Sequence, residues 1–352
     1  MSDDTRDRGG TWSPLVELTL TRLREFVREP EALFWAFVFP ILMSVALAAA
    51  FPSKAGRPVL VGVTTGAEGD AVAATLESAG GVQVRRLAPD ALARALRQGR
   101  VHVLVSPGTP PIYQFDPARE ESQVARLVVD GALQRAAGRR DAFAPVESPV
   151  AVPGSRYVDW LIPGLVALNI MGGGMWGLGF SIVQARMRRL LKRLRASPMR
   201  RRDYLAAQLL GRLAFLVPEV VIPLVFGAWV LGMPMHGSVV TVAVVCLLGA
   251  IAFGALGLLA ASRVRTFEAI SGLLNLVMVP MWVLSGVFFS SANFPDVVQP
   301  FIQMLPLTAL VDAMRAAILD GDGLGQLLPQ VTVLGTWGAV SGGLALAIFR
   351  WQ

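Results

Sequence analysis

Long apolar stretches free of charged side chains recur along this chain, and a helix needs about 20 such residues to cross the hydrocarbon core of a bilayer. Windows of that kind lie at 33–51, 160–183, 204–231 (interrupted only by Arg212 and Glu219), 238–262, 269–291 and 325–349. Between Glu219 and Arg263 there is no Asp, Glu, Lys or Arg, a run too long for one span, and Gly232-Met233-Pro234 divides it. The pattern predicts an α-helical polytopic membrane protein with six transmembrane helices.

Residues 52–156 break this pattern. Short runs at 58–63, 82–87 and 101–105 read as strands and 70–79 and 90–98 as helices, with one further helix at 120–137 after the break at Pro110-Pro111. An inserted small α/β domain is expected there. Ahead of the first span, Val16, Leu20, Leu23 and Val27 share a helical stripe over 14–29, opposite Arg22, Glu25 and Glu29. Such an amphipathic helix lies on the membrane surface or packs on its own bundle. Residues 1–8 are acidic and polar, unlike the basic start of a cleavable signal peptide, so the first apolar segment is expected to remain as an anchor.

Composition agrees: 54% of the 352 residues are hydrophobic and 16% charged, with a mean hydropathy of +0.55. A soluble domain carries about 25% charged residues. The net charge of +7 is local rather than spread. Arg186, Arg188, Arg189, Lys192, Arg193, Arg195, Arg200, Arg201 and Arg202 crowd into 185–203, and short loops rich in Lys and Arg stay in the cytoplasm. Arg263, Arg265 and Arg350 then fall on the same side, and both termini are expected inside. Loops beyond about 60 residues cross regardless of charge, so 52–156 is expected outside. The charge speaks for topology and against nucleic acid as a partner. The expected organisation is a cytoplasmic 1–32 with its interfacial helix, a span at 33–51, an extracytoplasmic domain at 52–156, and a five-helix region at 157–352. That last region holds a cytoplasmic loop at 184–203 and outer re-entrant helices at 292–320.

Candidate chemistry is sparse. Cys246 is the single cysteine, so no disulfide can form within the chain. His102 falls between valines in an expected strand and reads as structural; with only His236 beside it, no histidine metal cluster is expected. The sequence holds no G-x-x-x-x-G-K-[ST] phosphate loop, and Gly172-Gly173-Gly174 has no lysine after it. Gly173 and Gly177 instead offer a small face for close helix packing or for lining a pathway. Glu219 lies mid-span, where an ionisable group is costly and marks function by default, against a satisfied packing role. Arg212, seven residues earlier, is expected to reach toward the cytoplasmic surface and leave Glu219 to Asn275 or water. Pro218 and Pro223 should distort this span. Between the last two spans, Leu307, Leu310, Val311, Met314 and Ile318 form an apolar stripe with Asp312 and Arg315 facing elsewhere, which predicts a helix half-sunk in the outer leaflet.

Four stretches, in order, carry a resemblance. Arg28-Glu29-Pro30 with Leu33-Phe34-Trp35 and Phe39-Pro40 comes first, then Leu191-Lys192-Arg193-Leu194-Arg195-Ala196-Ser197-Pro198 with Tyr204-Leu205. Ser285-Gly286-Val287-Phe288-Phe289, Phe294-Pro295, Leu305-Pro306-Leu307-Thr308 and Asp312-Ala313-Met314-Arg315 follow, and Phe349-Arg350-Trp351 ends the series. Over nearly its whole length the chain resembles ABC type-2 transporter permeases, the transmembrane subunits of type V ABC exporters.

The resemblance implies a permease of the bacterial plasma membrane, paired with a second copy or homologue in a lipid bilayer. It moves an amphipathic, lipid-like or drug-like substrate outward. Sodium export and signalling without transport are the alternatives. A separate cytoplasmic ABC ATPase would bind ATP and Mg, while this chain binds no cofactor and is not itself an enzyme. Coupling to the ATPase falls on Arg188, Arg189, Lys192, Arg193, Arg195, Ser197 and Pro198, with Arg22 and Glu25; the basic loop could equally serve topology alone. The pathway or gate falls on Glu219, Asn275, Asn169, Phe288, Phe289, Asp312 and Arg315. An intramembrane enzyme lacks paired carboxylates, a Ser/His set or metal ligands in the spans.

Overall fold

The computed structural model describes residues 30–50, 58–108, 110–140, 156–188 and 201–348, with Arg24, Arg28 and Phe143; at Ala32 and over 201–209 it describes the backbone alone. The chain divides into two compact units, Ser53–Val150 and the remainder. The amphipathic segment at 14–29 is outside the described residues apart from Arg24 and Arg28.

The smaller unit is an α/β layer structure. Strands β1 (Val59–Thr64), β2 (Val82–Leu87), β3 (Val103–Ser106) and β4 (Ile112–Phe115) form one sheet in the order β2-β1-β3-β4. β1 pairs in parallel with β2 and β3, and β4 runs antiparallel at the edge. Helices α2 (Ala67–Ser78), α3 (Pro89–Arg97) and α4 (Glu120–Ala136) flank it. Alternation along the strands sends Val61, Val63, Val103 and Val105 to a core with Leu76, Ala125, Val129 and Ala132. Leu104 points the other way, onto Ala95 and Val101. β1 is thus covered on both faces, which explains its unbroken apolar run. His102 sits one residue before β3 rather than within a strand; its N–H donates to the Leu60 carbonyl at 2.8 Å and its Nδ1 accepts from the Leu60 N–H at 3.3 Å.

The larger unit is a helical bundle. α1 (Phe34–Ala50) opens with a π-helical stretch, Phe34–Val38, after the turn Pro30–Leu33. α1 is apolar but shorter than the helices long enough to cross a bilayer. α5 (Tyr157–Met187), α6 (Arg201–Trp229), α7 (Val239–Ala261), α8 (Phe267–Leu284) and α11 (Leu328–Ile348) are each long and apolar enough to cross a bilayer. Between α8 and α11, Asp296–Gln303 includes the short α9 (Gln299–Gln303), and an 85° bend leads into α10 (Pro306–Asp320).

Three expectations change here. The fifth span ends at Leu284, seven residues early, because Gly286 adopts a positive φ of 75° that no helix continues through. α10 is not half-sunk at a surface: Leu307, Thr308, Leu310, Val311, Ala313 and Met314 are all buried in the bundle core. Arg315 points inward with them, and the site below accounts for it.

The small-residue face also shifts by one position. A Cβ on Gly174 would lie 2.8 Å from the Phe253 Cβ and 3.0 Å from the Gly254 nitrogen, and one on Gly257 would lie 2.7 Å from the Gly174 carbonyl. α5 and α7 therefore cross backbone to backbone at Gly174, whereas a Cβ on Gly177 would meet nothing within 4 Å. Gly174→Ala should destabilise the bundle by about 1–3 kcal/mol through overpacking. Gly177→Ala should be neutral or stabilise it by about 0.4–1 kcal/mol through lost unfolded-state freedom. Thermal unfolding of the two variants in detergent checks the ordering.

Candidate functional site

α6 carries two ionisable side chains into the bundle. Arg212 is 7% exposed and Glu219 4%, and Arg212 Nη1 donates to Glu219 Oε2 at 2.6 Å. The expectation that Arg212 would reach for the membrane surface is therefore corrected, and so is the assignment of Asn275 as partner, since Asn275 is exposed on α8. Seven residues separate the two by about 10 Å of helix rise, yet side chains tilt toward the N-terminus of a helix. Glu219 thus leans back toward Arg212, whose long side chain closes the gap.

Space for the guanidinium comes from α5. A Cβ on Gly173 would lie 2.5 Å from the Arg212 Cζ, Nη1 and Nη2 atoms, so any larger residue there displaces the guanidinium. Gly173–Gly177 is π-helical, and Ile170, one turn before it, offers its carbonyl to Arg212 Nη2 at 3.2 Å. π turns inside α-helices leave carbonyls short of intrahelical donors and concentrate at functional positions. Arg212 Nε has no hydrogen-bond partner among the described residues. Pro218 and Pro223 lie within α6 on either side of Glu219; each lacks an N–H, which frees the carbonyls of Ala214 and Glu219.

The other candidates separate into distinct places. Arg315 packs its guanidinium 3.5 Å from the Trp160 ring centroid and donates to the carbonyls of Trp160 at 3.1 Å and Gly286 at 2.8 Å. It closes the C-terminal end of α8 against α5, a favourable place for a cation. Asp312 is half-buried one turn away. Phe288 accepts from the Tyr157 hydroxyl at 3.0 Å, while Phe289 is exposed beside Phe294. Asn169 lies elsewhere, donating to the Ala36 carbonyl within the π stretch of α1 at 3.1 Å. Arg188 is exposed just past α5. Arg189, Lys192, Arg193, Arg195, Ser197, Pro198, Arg22 and Glu25 lie outside the described residues.

Two joints escaped the sequence reading. Arg186 donates to the carbonyls of Ala261, Ser262 and Val264, tying the end of α5 to the end of α7. His236 donates its backbone N–H to the Ile318 carbonyl, and its ring lies 2.9 Å from the Leu319 oxygen, in the π stretch Ala316–Asp320. Arginine near a helix C-terminus is the signal that could have found the first. The second joins residues 83 apart and has no local signature.

Removing one member of the Arg212–Glu219 pair leaves the other buried without a counter-charge, at a cost of about 3–5 kcal/mol. Glu219→Leu and Arg212→Met should each lower the unfolding temperature sharply, and the double variant should recover most of the loss. A double-mutant cycle of thermal unfolding in one detergent measures this coupling.

The comparisons with known proteins agree with this architecture. The family model described as ABC-2 type transporter matches residues 127–319, more than half of the chain. ABC transporter G family member 20 of Dictyostelium discoideum is 30% identical over 174 residues, which is 49% of this chain but 24% of that protein. Inner membrane transport permease YadH of Escherichia coli (strain K12) is 25% identical over 52% of this chain and 69% of its own length. Nodulation protein J of Sinorhizobium fredii is 27% identical over 50% of this chain and 68% of its own. With a family match of that extent on a bundle of five long apolar helices, the chain belongs to the ABC-2 type transporter family and is a membrane permease.

Proposed function

We propose that this permease moves an amphipathic, lipid-like or drug-like molecule outward across a bacterial plasma membrane, driven by an ATPase on a separate polypeptide and working as a pair of permeases. The observation that carries the reading is the Arg212–Glu219 pair, because it links the two helices that the basic segment 185–203 joins. An ATPase displacing that segment pulls on α5 and α6 together. The pair, seated on a π turn and beside two prolines, is where the helices can take up a second arrangement. Arg188, Arg189, Lys192, Arg193 and Arg195 supply the positive charge that meets the ATPase in this reading, and Arg22 and Glu25 are assigned to the same coupling by the resemblance.

An amphipathic cargo is favoured over sodium by the state of the two fully buried carboxylates among the described residues. Glu219 is neutralised by Arg212, and Asp159 by Arg156 at 2.7 Å. Neither offers a bare charge to a cation.

Reconstitution with the ATPase into liposomes, followed by ATP-dependent movement of a fluorescent phospholipid or amphipathic dye, tests the reading. The Arg212→Met, Glu219→Leu double variant should keep the fold and lose transport by about tenfold, within the usual range of coupling energies. Transport at the parental rate would reduce the pair to a packing element. Topology is tested separately. Ser78, exposed at the end of α2, is placed outside by this reading, so Ser78→Cys should react with an impermeant maleimide in intact cells. Reaction only after lysis would reverse the orientation.

A further inference from the structure

α4 turns an apolar stripe to solvent. Val124, Leu127 and Val128 are 49%, 59% and 37% exposed, while Ser122, Ala125, Val129 and Ala132 hold a separate face against the sheet. At 100° per residue the stripe continues to Glu120 at one end and to Gly131 and Arg135 at the other. Gly131 sits in mid-helix, where glycine costs about 0.5–1 kcal/mol relative to alanine. A Cβ there would meet nothing within 4 Å, so the fold of this unit gives no reason for it.

We infer that this stripe is a self-pairing surface on which α4 of one copy lies antiparallel to α4 of a second copy about a two-fold axis between Leu127 and Val128. The order of residues fits that operation. Glu120 of each copy then meets Arg135 of the other, and Val124 meets Gly131, whose missing side chain leaves a slot for it. Leu127 and Val128 face each other at the axis. A two-fold contact repeats every pair, so one sequence supplies two ion pairs and two slots. The contact is too small to hold two free domains together. It rests on the pairing of permeases proposed above, which supplies millimolar effective concentration.

Cysteine cross-linking of the full-length protein in native membranes tests the inference. Cys246 is buried against Met314, so Val128→Cys supplies the reporting thiol. Copper-phenanthroline should give a disulfide-linked dimer, with little from Ser78→Cys. In the Val128→Cys background, Glu120→Arg and Arg135→Glu should each lower the cross-linked fraction by about fivefold, since two pairs are reversed at once, and the two together should restore it. Restoration is the readout that a folding defect in either single variant does not give. An anionic lipid surface as occupant differs at Glu120→Arg, which then strengthens the contact instead of weakening it while Arg135→Glu still weakens it, and that outcome overturns the inference. Absence of a Val128 cross-link in a protein that is dimeric by light scattering overturns it while leaving the pairing of permeases intact. A monomer by light scattering overturns both.

Discussion

A full charge inside a bilayer survives only where protein replaces the water it has lost. Much of the bundle is arranged around that requirement at Arg212 and Glu219. The pair needs a cavity, which Gly173 leaves open, and a further acceptor, which the second lone pair of the Ile170 carbonyl provides one turn before the π stretch. Immediately beside it, α5 must run against α7 closely enough to exclude side chains at Gly174 and Gly257. One glycine run thus serves two neighbours on two faces. The consecutive residues Gly172-Gly173-Gly174 are an economical solution, because successive positions on a helix point about 100° apart.

The same rule recurs at the helix ends. Arg186 caps the end of α7 and Arg315 the end of α8, each reaching across from another helix to gather carbonyls that have no donor of their own. Each guanidinium spends several donors on backbone in regions where water is scarce, which makes these arginines struts between helices rather than surface charge. The turn holding His236 does comparable work against α10.

The positions of five spans, the α/β insertion and the break ahead of α10 were legible in the sequence, because apolar length and period are local properties. β2 was read at its observed bounds, since Gly80-Gly81 and Pro89 punctuate it. The site was legible only in part. Glu219 stood out as a mid-span acid, but its partner was misassigned. Seven residues of spacing give about 10 Å along an ideal helix, and neither the backward tilt of the side chain nor the room left by a glycine on another helix is written in that spacing. The inward turn of Arg315 was missed for a related reason: its acceptors, Trp160 and Gly286, lie far away in sequence and are backbone atoms, which leave no mark on residue type.

The π stretch at Gly173–Gly177 adds a residue to a turn, and that has a consequence for how α5 is inherited. Beyond it, every side chain is rotated by about 100° from where an unbroken α-helix would put it. The half containing Ile162, Val166 and Ile170 and the half containing Ile182 and Val183 are therefore out of phase with each other, although all five are buried. Losing a single residue from the glycine run lets the turn close into a plain α-helix and keeps Ile182 and Val183 on the core, whereas a loss elsewhere in the span turns them off it. Insertions and deletions outside the glycine run are thus far more damaging than those within it, and an ancestral one-residue insertion is the simplest origin for the phase jump.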